Sequence, residues 1–352
     1  MTFATADPRW RCDCGGLLDL DTTSSFDINA LRRRQPTMWR YREMIPVCED
    51  GNIISFDEGY TPLVPLECGE RSILVKQDHL FPSGSYKDRG ASVLISKMKE
   101  LGITRVVEDS SGNAGAAIAA YCAKAGIVCD IYVPESCSAA KLKQITAYGA
   151  RLVQIPGSRA DTAAAALAAA EEAYYASHTW NPFFFHGTKT FAYEVCEQLG
   201  WTAPDTLIVP VGNGTLLLGA YIGFTELHGA GVIDRLPRLV GVQAAECAPL
   251  SAAFAAGTDD VPGIEPGKTR AEGIAIAAPI RGRQILAAVR SSSGMIVSVS
   301  ENEILAAATA MGRQGYFIEP TAAATIAGAR DLICELPAGE TVVTVFTGHG
   351  LK

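Results

Sequence analysis

The stretch TRVVEDSSGNAGAAIAAYCAKAGIVCDIYVP, residues 104–134, decides the fold. TRVVED reads as a short strand with paired β-branched residues. AGAAIAAYCAKAGI is alanine-rich and reads as a helix. VCDIYVP returns as a strand. Strand, helix and strand in so short a span make a βαβ unit, with parallel strands and a right-handed crossover.

The same alternation runs outward in both directions. AAKLKQITAYGA and RLVQIPG add a helix and a strand. Farther on, DTLIVPVGNG, RLVGVQAAE, MIVSVS and TVVTVFTG read as strands with helices between them. The segment TAAAALAAAEEAYYA reads throughout as a strong helix former. The expected class is α/β, with two open, mostly parallel sheets flanked by helices. No solenoid repeat interrupts it.

A chain of 352 residues exceeds one small core, so two domains are expected. The net charge of −8 argues against nucleic acid or an anionic membrane surface as partner. The amino-terminal MTFATADPRWRCDCGG lacks the apolar core of a signal peptide. The most apolar stretch, TLIVPVGNGTLLLGAYIGF, is broken by Pro210, Gly212, Asn213 and Gly214, so no membrane span is expected. A cytoplasmic protein follows. The ten cysteines do not form a disulfide framework in a chain this long. Cys12 and Cys14 form one close pair without a second, so no metal is expected, since a closed zinc site takes four ligands.

Ligands of open α/β sheets bind beyond the carboxyl ends of the strands, and three loops stand there. SSGNAG, residues 110–115, opens a helix, where successive N–H groups favour an anion. It lacks the G-x-G-x-x-G fingerprint of dinucleotide sites, and a capped βα turn explains it equally well. VGNGTLLLG, residues 211–219, is a strand, a glycine-rich loop and a helix. It suits a monophosphate, since no Gly-Lys-Ser/Thr ends it. TGHG, residues 347–350, puts the Thr347 hydroxyl at a strand's end, while His349 reads as a turn residue.

FPSGSYKDRG, residues 81–90, places Lys87 at or just before the start of a helix. The helix N-terminus and Arg89 both disfavour an ammonium there, and a neutral amine can form a Schiff base with a carbonyl. A solvated turn lysine is the plain alternative.

Taken together, EGYTPLVPL, SGSYKDRGAS, DSSGNAGAAIAAYCAKAG, WNPFFFHGTKTFAYEV, PVGNGTLLLG, AEGIAI, FIEPTAAA and FTGHGLK resemble pyridoxal-phosphate enzymes of the tryptophan-synthase-β class (fold type II). Within that class the resemblance is to the threonine synthases, in family order over residues 58–352. It implies pyridoxal 5'-phosphate bound to Lys87 as a Schiff base. It implies that Asn113 bonds the cofactor's ring hydroxyl, and that Gly212, Asn213, Gly214, Thr215 and Leu216 hold its phosphate. Thr347 would meet the pyridine nitrogen and leave it largely unprotonated. Ser110, Ser111 and Ala114 would surround the carboxylate of a small amino-acid substrate. Residues 1–92 and 188–352 would form a large cofactor domain, with 93–187 inserted as a small one. A homodimer is one expected association.

The implied reaction converts O-phospho-L-homoserine and water to L-threonine and phosphate, with Lys87 as the base. One position departs. The family commonly carries an arginine for the substrate phosphate two residues after the Asn-Pro of this segment, and here that residue is Phe184. A phenyl ring cannot replace a guanidinium on phosphate. Thr179 and Lys189 stand at matching positions, with Arg159 as a further cation. A dehydratase acting on threonine or serine, or a β-replacement enzyme, is the alternative.

Overall fold

The computed structural model describes residues 1–22, 25–137 and 139–352, without the side chains of 139–141. Among the described residues the strands are Leu63–Cys68 (β1), Arg71–Lys76 (β2), Arg105–Glu108 (β3), Val128–Pro134 (β4), Arg151–Ile155 (β5), Tyr174–Tyr175 (β6), Thr206–Pro210 (β7), Arg238–Ala244 (β8), Met295–Val299 (β9) and Val342–Val345 (β10). They form a six-stranded sheet, β1-β2-β10-β7-β8-β9, and a four-stranded sheet, β5-β4-β3-β6. Every pairing is parallel except the β1–β2 hairpin.

The chain separates into two compact units. The small-sheet unit comprises Met1–Ser25, Asn29–Glu58 and Lys87–Thr188, and the large-sheet unit Phe26–Ile28, Gly59–Tyr86 and Lys189–Lys352. The expected division, 1–92 and 188–352 against 93–187, differs from this. Residues 29–58 and the whole helix Lys87–Glu100 go with the small sheet. Burial is the reason: Ile54, Leu94, Ile95 and Met98 share one core with Ile118, Ile131 and Phe184. In the large-sheet unit, Val75, Ile208, Val242 and Phe346 build a core with the alanine face of helix Pro320–Ile333.

The βαβ unit read at the outset is β3, helix Asn113–Ala125 and β4. Gly126, at φ 70°, ends that helix in the left-handed conformation. Two elements differ from the sequence reading. The alanine-rich helix spans only Arg159–Ala169, and the tyrosines beyond it form β6, paired to Val106 and Val107 of β3. Local composition favours helix, but two buried aromatic side chains fit a sheet better. The β1–β2 hairpin was not read, because Pro65 interrupts the strand pattern; β1 is an edge strand, where proline is tolerated.

Candidate active site

In the large-sheet unit, β7 ends at Pro210 and helix Thr215–Gly229 begins five residues later. The loop between them has no room for side chains at its glycines. A Cβ on Gly212 would lie 2.9 Å from the Cα of Ile274. One on Gly214, at φ +76°, would lie 2.4 Å from Ile285 Cδ1. What such a loop presents is backbone N–H at a helix N-terminus, a setting for an anion. Thr215 and Leu216 begin the helix, both buried, and Asn213 is half-buried. The Thr215 hydroxyl lies 2.8 Å from the Tyr86 hydroxyl.

Thr347 follows β10 at its carboxyl end, as expected. The Tyr86 N–H donates to the Thr347 carbonyl at 3.0 Å. The Thr347 hydroxyl donates to Glu319 Oε1 at 2.9 Å. Ser85 pairs with Gly348 in an isolated bridge, and its hydroxyl oxygen is buried with no hydrogen-bond partner among the described residues. His349 lies in a bridge with Ile318, its ring 5.6 Å from that of His79. Burial, with His349 nearby, pulls His79 down to about 4. Lys189 is fully buried and ion-paired to Glu226 at 2.8 Å. Tyr193 donates to the same carboxylate. Glu194, on the helix that follows Lys189, is paired instead with Lys76 at 2.8 Å.

In the small-sheet unit, Lys87 is the first residue of helix Lys87–Glu100 and is half-buried. Its Nζ lies 5.7 Å from the centre of the Phe184 ring. Phe184 is fully buried, and Gly90 leaves its seat: a Cβ there would lie 2.3 Å from Phe184 Cε1. Ser110, Ser111, Asn113 and Ala114 follow β3 and open helix Asn113–Ala125. Ser110 Oγ accepts from the Gly112 N–H at 3.3 Å. Thr179 follows the neighbouring strand β6, with its hydroxyl 3.1 Å from that of Ser177. The Ser110–Ala114 loop and Thr179 thus stand at carboxyl ends of adjacent strands.

The sequence reading passed over Glu108 and His178. Glu108 ends β3, and its Oε1 lies 2.7 Å from His178 Nδ1. Burial pushes the Glu108 carboxyl well up, with Asp109 and Cys129 adding to it and Lys87 and Arg159 opposing. Burial pushes His178 well down, helped by Lys87 and Arg159. Both partners therefore favour their neutral forms. A carboxylate closing a strand directly after two buried valines was the available signal. Tyr86, Ser85 and Glu319 were also passed over, each lying inside a quoted motif without a role.

A match to the pyridoxal-phosphate dependent enzymes spans residues 54–348. The chain belongs to that family. A threonine synthase of Methanocaldococcus jannaschii is 37% identical, over 100% of this chain and 90% of that protein. One from Methanosarcina acetivorans is 36% identical, over 96% of this chain and 86% of that protein. The structure of maize serine racemase superposes with a TM-score of 0.71 at 20% identity, covering 83% of this chain and 88% of that one. That last likeness concerns the fold.

The enzyme's cofactor is pyridoxal 5'-phosphate, and its residues fit that group. A glycine loop that a Cβ would fill suits a phosphate, and the buried Ser85 hydroxyl wants a polar partner. Lys87 carries a primary amine. Among the described residues no helix is long and apolar enough to cross a membrane.

Proposed function

We propose that this enzyme converts O-phospho-L-homoserine and water to L-threonine and phosphate, in the cytoplasm. What carries the reading is near full-length similarity to relatives named threonine synthase, 36–38% identical in sequence. The bound cofactor supplies an electron sink for carbanion chemistry at the substrate's α-carbon. Lys87 would hold it as a Schiff base, then take the α-proton on its freed Nζ. Asn113 would bond the ring hydroxyl, and Gly212, Asn213, Gly214, Thr215 and Leu216 would hold the phosphate. Thr347 would meet the ring nitrogen. Its hydroxyl donates to Glu319 here, and would turn from that carboxylate to donate to an unprotonated ring nitrogen, which can only accept. Ser110, Ser111 and Ala114 would hold the substrate carboxylate.

Thr179 and a cation would then take the substrate's phosphate. The ion pair to Glu226 already neutralises Lys189, so Arg159, whose charge is felt at both Glu108 and His178, is the stronger candidate. A second reading, a dehydratase or β-replacement enzyme acting on serine or threonine, draws support from Phe184. The buried ring occupies a seat made for it and offers nothing to a phosphate. Incubation of the holoenzyme with O-phospho-L-homoserine, L-threonine, L-serine and O-acetyl-L-serine separates the two. Phosphate and threonine from the first substrate are expected. Oxo acid or acetate from the others, with no phosphate released, would replace the first reading with the second.

A further inference from the structure

Glu108 and His178 lie where substrate is held in the small-sheet unit, yet the family assignment gives them no task. Glu108 is completely buried. A carboxyl group in that position is costly unless it is paired or protonated. Its Oε1 is joined to His178 Nδ1 at 2.7 Å, and its Oε2 has no partner among the described residues. The imidazole keeps 8% of its side-chain surface exposed, and its Nε2 has no hydrogen bond among the described residues. Glu108 is two residues before Ser110, and His178 is one before Thr179. The pair therefore stands between the two loops proposed to hold the substrate. On its other side, the His178 ring meets the Phe184 ring edge-on at 5.9 Å, and Phe184 in turn lies beneath Lys87 Nζ.

We propose that Glu108 and His178 form a proton relay serving the oxygen at the far end of the substrate, while Lys87 serves the α-carbon. The inference rests on the assignment of Lys87 above. In the resting pair both groups are neutral, so the Glu108 acid donates to Nδ1 and Nε2 carries the outward N–H. When the substrate's distal C–O bond breaks, the bonding pair leaves with the oxygen, which takes the Nε2 proton. Nδ1 then takes the proton of Glu108, leaving a carboxylate. When water adds, its oxygen forms the new C–O bond and its proton passes to Nε2. Nδ1 returns its proton to Glu108, and the pair is restored. The relay closes for the two oxygens, the departing phosphate taking one proton and water returning one, while the proton lost from the β-carbon and the one gained at the γ-carbon pass through Lys87. The positive field of Lys87 and Arg159 at both residues stabilises the carboxylate formed midway. Phe184 packs against the imidazole.

The test separates the two carbons. Holoenzyme carrying His178→Gln, and separately Glu108→Gln, is mixed with substrate in heavy water. Proton NMR then follows exchange of the α-proton and formation of product, and the visible band of the bound cofactor is recorded. Product formation should fall about 10²- to 10⁴-fold, the usual worth of a placed acid–base group. Exchange at the α-carbon and the visible band should stay within a few-fold of wild type. Product formation at wild-type rate overturns the relay. So does a parallel loss of exchange and product, which marks a merely structural pair. If His178→Gln does not fold, Glu108→Gln, equal in shape and still able to hydrogen-bond, carries the same comparison. Failure of the proposed substrate is a distinct result: wild type itself then releases no phosphate. The relay is in that case measured with whichever amino acid the wild type consumes.

Discussion

The loop at residues 211–214 and the cluster of Glu108, His178 and Phe184 both stand at carboxyl ends of parallel strands, but they are made of different material. The loop has glycines at 212 and 214, where the lack of a Cβ brings backbone close to whatever binds. The cluster consists of buried side chains, two of them titratable, with a carboxyl oxygen that has no partner among the described residues. Backbone N–H groups offer one chemistry to any phosphate and tolerate little change. Buried side chains can be exchanged to suit a new substrate, at a cost in desolvation that each new set must meet. The glycine loop would then serve the cofactor, common to the family, and the cluster of Glu108 and His178 the substrate, which varies within it.

The largest expected effect lies at Lys87. Lys87→Ala should abolish turnover, since the amine serves both as cofactor tether and as base. Borohydride should fix the cofactor on Lys87 in the wild type and on no residue of the variant. A peptide map with the adduct on another lysine would end the assignment of both regions.

Next comes the backbone cradle. Gly212→Asp would force a side chain to within 2.9 Å of the Ile274 backbone and put a negative charge beside the phosphate. Cofactor affinity should drop steeply, by spectral titration of the apoenzyme, and substrate specificity should not change. Unaltered affinity would place the phosphate elsewhere and remove the contrast.

A third measurement concerns Lys189, read from sequence as a substrate ligand. Its buried pairing with Glu226 makes it a structural residue in this comparison. Burial lowers its pKa, and Glu226 works against that shift. Lys189→Met takes from the Glu226 carboxylate its buried cation, and breaking such a pair costs about 3–5 kcal/mol. The expected outcome is a lower Tm with KM for O-phospho-L-homoserine within a few-fold of wild type. A KM raised by more than about 30-fold, with Tm unchanged, would return Lys189 to the substrate.

How much of this was legible in sequence follows from the same contrast. The glycine loop, the helix-start lysine and Thr347 could be read because each lies at a fixed offset from a strand or helix signal. Glu108 and His178 are 70 residues apart, and only the pairing of β3 with β6 joins them. That pairing was itself hidden, since Tyr174 and Tyr175 follow an alanine-rich run that local propensity assigns to helix. The partner of Lys189 was equally out of reach, since Glu226 is 37 residues on. Short-range spacing carried the parallel fold, and family resemblance gave its loops their cofactor roles. The side-chain pairing of Glu108 with His178 is long-range, and nothing in the spacing signals it.

The smallest expected effect is at Asp130, which belongs to the small sheet but not to its chemistry. Asp130 lies in β4, between β3 and β5, and its side chain is fully buried. Arg105 of β3 reaches its Oδ2 at 2.7 Å, and Arg151 of β5 reaches its Oδ1 at 2.7 Å. Burial alone would raise the carboxyl, but the hydrogen bonds from Arg151 and Arg105 outweigh it and hold the pKa below the ordinary value. A carboxyl depressed in the folded state adds stability that is present above its unfolded pKa, near about 3.9, and is lost as pH falls through the folded value. The arginine side chains are 43% and 61% exposed, so solvent screens much of the attraction. Asp130→Asn should therefore cost about 1–2 kcal/mol at neutral pH and flatten the acid limb of the stability curve. Cofactor binding and product formation should match wild type, in contrast with Glu108→Gln on the adjacent strand. An acid limb that superimposes on that of wild type would show that the two arginines do not stabilise the sheet through Asp130. A loss of product formation with the fold intact would extend the chemistry of the small sheet beyond its carboxyl edge.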